Sequence, residues 1–300
     1  MSTFMNFVTF GVVRSLLSGY ELPQGALVAI YIAGIIIFIV SAYLLGQLNF
    51  AIILSKKLFG VDVREYGSGN GGATNMLRTF GKKAGIITLL GDMGKAVVAC
   101  LIGYIVLGRL GAYISGFFCM LGHTFPAKYK FKGGKGVACA AAVILMTDLG
   151  NVLHVPVVFL ILLACFAAIA LGLKYVSLAS VMCMLIYPLV LNRVENFILD
   201  LTFSFESLGE QDKIVFLNLY REINISFLIA LLMSILVIFM HRENIKRLLR
   251  GEESKLDLSK KSKPAFELQA ESAEAAPEEE TRSEKPDKNT SKKKIKRNKK

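Results

Sequence analysis

ALVAIYIAGIIIFIVSAYLLGQLNFAIIL, Ala26 to Leu54, runs without a charged side chain. A helix needs ~20 mostly apolar residues to cross the hydrocarbon of a bilayer, and this run exceeds that. The same test picks out more of the chain. Ala84 to Gly108 is a second candidate, with Asp92 and Lys95 inside it. Gly111 to Ala127 is shorter and ends around Pro126. Gly136 to Leu173 is too long for one crossing, and Asp148, Gly150 and Asn151 offer a turn that divides it. Val176 to Asn192 and Ile225 to Met240 complete the set. The reading is an all-α polytopic integral membrane protein with seven transmembrane helices.

Composition agrees. A chain of 300 residues that is 54% hydrophobic, with mean hydropathy +0.52, is too apolar for an ordinary soluble domain. The formal net charge of +12 suggests an anionic neighbour, either lipid headgroups or a phosphorylated substrate. Cys100, Cys119, Cys139, Cys165 and Cys183 lie in or beside apolar runs without CxxC spacing. They read as small buried hydrophobes, and neither a metal site nor a cofactor is expected. Residues 1–25 read as an interfacial N-terminal leader, because Arg14 interrupts their apolar stretch and Pro23 follows it. Residues 26–255 form the membrane-embedded domain. Residues 256–300, ending in "SKKKIKRNKK", read as a disordered charged tail whose basic end suits anionic lipid. No nucleic acid is expected as a partner.

Lysine and arginine placement sets orientation. One set of loops carries Lys56, Lys57, Arg64, Arg78, Lys82 and Lys83, then Lys128, Lys130, Lys132 and Lys135, then Lys174. Arg242, Lys246, Arg247 and Arg250 follow the last run on the same side. The rich side is read as cytoplasmic, which puts the N-terminus outside and the C-terminus inside. The segment from Arg193 to Glu222 becomes a long outer loop.

Three stretches on the cationic side carry chemistry. "YGSGNGGATNMLRTFGKK", Tyr66 to Lys83, combines Gly67, Gly69, Gly71 and Gly72 with Ser68, Asn70, Thr74 and Asn75, then Arg78. Glycines permit positive φ, and successive backbone amides can then cradle an anion. A helix starting near Ala73 would aim its N-terminus at the same place. By itself the stretch fits a flexible turn equally well. "GHTFPAKYKFKGGKGVACA", Gly122 to Ala140, places Lys132 and Lys135 around Gly133 and Gly134. Lys135 is followed by glycine and not Ser or Thr, so it is not a nucleotide P-loop. "HRENIKRLLRGEESK", His241 to Lys255, reads alone as an amphipathic juxtamembrane helix, with His241 and Asn244 on one face. Asp92 and Lys95, at i, i+3 inside a span, can pair and should face the bundle interior.

Taken together and in this order, the stretches resemble the bacterial acyl-phosphate:glycerol-3-phosphate acyltransferases, the PlsY family. "KYVSLAS", Lys174 to Ser180, resembles the corresponding stretch of that family. The resemblance implies an enzyme of the bacterial cytoplasmic membrane that acylates the sn-1 hydroxyl of glycerol 3-phosphate from acyl phosphate, giving lysophosphatidic acid and phosphate. It implies Ser68, Arg78, Lys135, Ser177, His241 and Asn244 as catalytic. Gly67, Gly69, Asn70, Asn75, Lys132, Gly133 and Gly134 are implied as substrate-binding. Three departures stand out: Gln47 in "GQLNF", expected to alter helix packing; Gly71, expected to loosen its loop; and Cys139 in place of a common Thr. The alternative from another class is a transporter or channel for organic phosphates. Such a protein usually shows internal repeats and a midplane site. No repeat is evident here, and the cations crowd one face.

Overall fold

The computed structural model describes residues 23–150, 155–202 and 210–256, without side chains over 201–222. The leader before residue 23, the tail after residue 256 and residues 203–209 lie outside these. The described residues form α1 (Gln24–Gly46), α2 (Phe50–Phe59), α3 (Ala73–Phe80), α4 (Lys82–Thr124), α5 (Val137–Leu149), α6 (Val157–Gly172), α7 (Val176–Thr202), α8 (Glu210–Met240) and α9 (Arg242–Leu249). Among the described residues, four helical stretches are long and apolar enough to cross a membrane: Gln24–Phe59, Lys82–Tyr129, Val176–Asp200 and Ile223–Met240. The apolar helices α5 and α6 are shorter. Ile36, Ile37, Leu90, Leu189 and Phe197 are exposed, as a lipid-facing surface requires. The interior is built largely from alanines, cysteines and a few large side chains such as Tyr113 and Tyr187.

The opening run is not one helix. It breaks at Gln47–Asn49, because Asn49 takes an extended backbone (φ −85, ψ 104) and its side chain accepts the Ile52 amide at 3.0 Å. That is an N-cap, and it starts α2 afresh. The carbonyls freed at the break are taken from a distance: Lys95 Nζ donates to Gly46 O at 3.0 Å and to Leu48 O at 2.7 Å.

The helix α4 is broken in a different way. Leu107 (φ −128, ψ 23) and Gly108 (φ 61, ψ −146) leave helical geometry. Past them the chain doubles back. Ser115 Oγ donates to Ala99 O at 2.6 Å, and a Cβ on Gly103 would stand 2.1 Å from Gly111 O. Eight residues along a straight helix would be about 12 Å apart. Two antiparallel limbs therefore meet here, as the separate runs in the sequence suggested. A second close crossing joins α1 to the later limb: a Cβ on Gly46 would lie 2.1 Å from Cys119 O, and one on Gly122 would lie 2.2 Å from Tyr43 O. Small residues let these backbones touch.

The division at Gly150 is as expected, with α5 ending there. The long loop read from Arg193 to Glu222 is instead mostly helix, since α7 continues to Thr202 and α8 begins at Glu210. Hydropathy falls at Asn192, but helix does not need apolar residues on every face. The extension lets Glu195 pair with Arg109, both buried. Arg109 Nε also donates to Thr147 O at 2.9 Å, which ties α4, α5 and α7 together.

Candidate active site

The first glycine stretch is a built loop. Asp62 caps the turn Val63–Glu65 by accepting the Arg64 amide at 3.0 Å. Arg64 holds the Asp62 carboxyl down at about 2, against the opposing effect of burial. Gly67 (φ 61) and Gly69 (φ 70) then turn the chain. At the centre is Asn75, buried to 1% exposure. Its Nδ2 donates to Val63 O at 2.9 Å and to Tyr66 O and Asn70 O at 3.0 Å each, and its Oδ1 accepts the Ser68 amide at 2.9 Å. The side-chain amide of Asn75 is therefore committed to loop carbonyls. The amides of Gly69 and Gly72 are likewise bonded within the loop, to Tyr66 O and Asn70 O. Backbone donors for an anion come instead from the start of α3. Gly72 there provides no side-chain cap, and the first amides of the helix stay open. Ser68 is exposed and Asn70 half-buried at the mouth of this loop.

Gly71 does not loosen the loop. Its carbonyl accepts Asn49 Nδ2 at 2.9 Å, and a Cβ there would meet that nitrogen at 3.2 Å. Gln47 has a definite partner too: its Oε1 accepts the Lys128 amide at 2.9 Å and ties the helix break to the second loop. Arg64 also joins the two loops, since its Nη1 donates to Lys132 O at 3.0 Å and its guanidinium lies 5.6 Å from the Tyr129 ring centroid.

The second glycine pair lies on the end of α4. Gly133 N donates to Thr124 O at 3.3 Å and Gly134 N to His123 O at 3.1 Å. No β-carbon fits there: one on Gly133 would be 2.0 Å from His123 O, and one on Gly134 would be 2.1 Å from His123 Nε2 and 2.8 Å from Gly71 O. The two glycine stretches therefore touch. Lys132 and Lys135 diverge. Lys132 is exposed, whereas Lys135 turns inward and donates from Nζ to Asn244 Oδ1.

Asn244 belongs to α9, and its own Nδ2 donates to Glu253 Oε1 at 2.7 Å. Glu253 also accepts Ser177 Oγ at 2.8 Å and Arg247 Nε at 2.8 Å. One carboxylate thus gathers the start of α7, both ends of α9 and, through Asn244, Lys135. Sequence reasoning passed over Glu253, which reads as a solvated charge after an amphipathic helix. The usable signal is Gly251, whose φ of 72 turns the chain back. Leu256 N then reaches Lys174 O at 2.5 Å. Burial pushes Lys135 down to about 8; Glu253 opposes this, while Arg247 and Arg78 push the same way as burial. Arg78, half-buried on α3, is therefore in electrostatic reach of Lys135. His241 is buried beside Lys135, and burial followed by that cation pushes it down to about 4. Its Nδ1 donates to Val237 O at 2.8 Å, so Nε2 carries the lone pair.

Of the residues expected at the site, Arg78, Lys135, Ser177, His241 and Asn244 therefore gather in one place. Gly67, Gly69, Gly133 and Gly134 shape it, Ser68 and Asn70 stand at its mouth, Asn75 supports it, and Lys132 lies outside the network. What gathers is two or three cations, a neutral imidazole with a free lone pair and open helix-start amides. Such a set can bind phosphate groups and orient a hydroxyl.

A family model described as glycerol-3-phosphate acyltransferase matches residues 36–251. A glycerol-3-phosphate acyltransferase of Clostridioides difficile is 38% identical over 232 residues, 75% of this chain and 97% of the relative. One from Finegoldia magna is 36% identical over 225 residues, 74% of this chain and 96% of its own length. Among solved structures, the crystal structure of PlsY, an integral membrane glycerol 3-phosphate acyltransferase in its glycerol 3-phosphate form, superposes with a TM-score of 0.58 at 32% identity. It covers 74% of this chain and 96% of that one. The lysophosphatidic acid form of PlsY gives 0.57.

Proposed function

The chain belongs to the PlsY family of glycerol-3-phosphate acyltransferases, and we propose that it transfers a fatty acyl group from acyl phosphate to the sn-1 hydroxyl of glycerol 3-phosphate. The products are lysophosphatidic acid and inorganic phosphate. The observation that carries this reading is the cluster of Lys135, Asn244, Glu253 and Ser177 with Arg78 and His241 beside it. Two phosphate-bearing substrates need neighbouring anion sites, and the contact between the glycine stretches brings the cations and the start of α3 close together. In this reading Arg78 and Lys135 hold substrate phosphate, with His241 and Asn244 beside the glycerol phosphate. Ser68 and Asn70, with the start of α3, hold the acyl phosphate and its developing oxyanion, and Gly67 and Gly69 shape the loop that carries them. Lys132 adds field from outside. Gly133 and Gly134 let the loop approach closely.

An acyl phosphate is already activated, so the hydroxyl attacks it directly and phosphate leaves. His241, neutral and depressed to about 4, accepts the hydroxyl's hydrogen bond at Nε2 and orients it. The proton goes to a substrate phosphate oxygen, with His241 Nε2 as the protein alternative. Transfer is expected from acyl phosphate and not from acyl-CoA with the same purified protein. Equal rates from both donors would refute the donor assignment.

The pH profile should carry the mark of Lys135. Its ammonium is the phosphate-binding form, and its pKa of about 8 means kcat/KM falls as pH rises through that value. A profile flat to pH ~9.5 would remove Lys135 from phosphate binding.

The reading places residues 26–255 in the membrane of a bacterial cell as the acyltransferase, with seven crossings: α1, the two limbs of α4, and α5 to α8. The lysine-rich loops and the site face the cytoplasm, and the N-terminus lies outside. The leader and the charged tail flank this unit, the basic end of the tail against anionic lipid. A cysteine at Ser207 should label from outside intact cells and one at Lys128 should not; the opposite pattern would invert the topology. Transport of organic phosphates gains no support from Asp92 and Lys95, which are engaged with each other and with protein groups.

A further inference from the structure

Beneath the site, inside the bilayer portion of α4, sit three buried ionisable side chains that the reaction does not use. Lys95 Nζ lies 2.8 Å from Asp92 Oδ1 and 2.8 Å from His123 Nδ1. It also donates to Gly46 O and Leu48 O. Asp92 Oδ1 in turn accepts the Phe50 amide at 3.4 Å, at the start of α2. Intramembrane charges are costly and are kept where they do something. This set does more than close a helix break, because its third member is the residue on which the second glycine pair rests.

We propose that Asp92, Lys95 and His123 form a positioning triad that fixes the His123 imidazole with its proton on Nε2, and through that ring fixes the Gly133–Gly134 backbone that presents Lys135. An ammonium has donors and no acceptor, so the nitrogen facing it must offer a lone pair. Nδ1 also lies 3.5 Å from Asp92 Oδ1, but the ammonium at 2.8 Å is the nearer group, so Nδ1 is bare and Nε2 carries the hydrogen. Asp92 keeps Lys95 charged and aimed, as a carboxylate does behind a histidine in many metal sites. Nε2 faces Gly134 closely enough that a methyl group there would overlap it. The carbonyls of His123 and Thr124 take the two glycine amides from the same side. Ring, helix end and glycine pair therefore form one rigid support. The triad holds Lys135 in register with Asn244 across the site, without touching substrate.

The proposal rests on the acyltransferase reading for its kinetic consequence, but not for its geometry, and two measurements separate them. The first is the nitrogen spectrum of the full chain in detergent, with 15N-labelled histidine. The chain has 3 histidines, His123, His154 and His241, and single substitutions at the last two assign the signals. His123 should show a neutral ring protonated at Nε2. The double variant Asp92→Asn with Lys95→Met removes both charges together and should release the ring into mixed tautomers. A parent ring that is cationic, or protonated at Nδ1, overturns the triad whatever the enzyme does. The second is kinetic. The double variant and His123→Phe should raise KM for glycerol 3-phosphate about tenfold or more with a smaller change in kcat, as expected for a displaced phosphate loop. His123→Asn keeps an acceptor for Lys95 and should be milder than His123→Phe. Variants that retain the parent's thermal stability and also its KM would overturn the proposal. A parent inactive with every acyl donor would defeat the functional reading and leave the spectrum to decide the triad.

Discussion

Asn75→Asp should abolish acyl transfer while the protein still inserts into the membrane. The change is isosteric and replaces one NH2 group by an oxygen. In the parent that NH2 serves the carbonyls of Val63, Tyr66 and Asn70. In the variant a buried carboxylate faces the same carbonyls. Each carbonyl left without a donor costs on the order of 1–3 kcal/mol, and the charge repels them besides. The loop reopens to find other partners, and the start of α3 loses its alignment. An added anion beside an anion site also works against both substrates. A loss of ~3 kcal/mol in transition-state binding is about a hundredfold in kcat/KM. The measurement is kcat/KM for each substrate, with thermal stability as the folding control; near-parent turnover would mean the loop is only a turn. The glycines give an internal check. A β-carbon on Gly67 would stand 2.4 Å from Asn75 Oδ1, whereas the nearest atom to one on Gly69 is 3.5 Å away. Both have positive φ, so both substitutions strain the chain. Gly67→Ala should nevertheless be the more damaging, because it also disturbs the asparagine.

Glu253→Ala should be nearly as harmful, by a different route. It removes the acceptor for Ser177, Asn244 and Arg247 together. Bonds to a charged group are worth ~1.5–3 kcal/mol each, so the loss of kcat/KM should reach about a hundredfold. Lys135 and Arg247 then lack their counter-charge. Glu253 raises the Lys135 pKa, so its loss lowers it further from about 8. The alkaline fall in kcat/KM should therefore move to lower pH. Glu253→Gln keeps the shape and should cost less rate, yet shift the pH limb in the same direction, because the charge is gone. An unshifted limb in both variants would separate Glu253 from Lys135 electrostatically.

Much of this was legible in the residues. Apolar runs located the helices, and the turn near Gly150 and the pairing of Asp92 with Lys95 followed from local rules. What hydropathy could not see was the break at Asn49, since one asparagine barely lowers a window average. Asparagine is a residue that caps helices, which a hydropathy scale does not record. Helix beyond Asn192 was missed for the reverse reason, because a polar helix end looks like a loop to a hydropathy scale. For Asn75 and Glu253 the sequence gives no local sign of the bonds they make. Their importance lies in partners many residues away, such as Val63 and Ser177, which no local pattern records.

The bond from Lys95 to the carbonyls of Gly46 and Leu48 has a consequence for how the chain enters the membrane. Those carbonyls are made 49 and 47 residues before the ammonium that satisfies them. When the first apolar segment leaves the ribosome, its break has no internal partner, and hydrocarbon offers none. That segment must wait in a wet or translocon-sheltered state until the first limb of α4 arrives. Asp92 and Lys95 face the converse problem, since they can enter only as a neutral pair and are fully satisfied only against the broken helix. The two segments therefore settle together, as a cotranslational unit of four emerging elements rather than one span at a time.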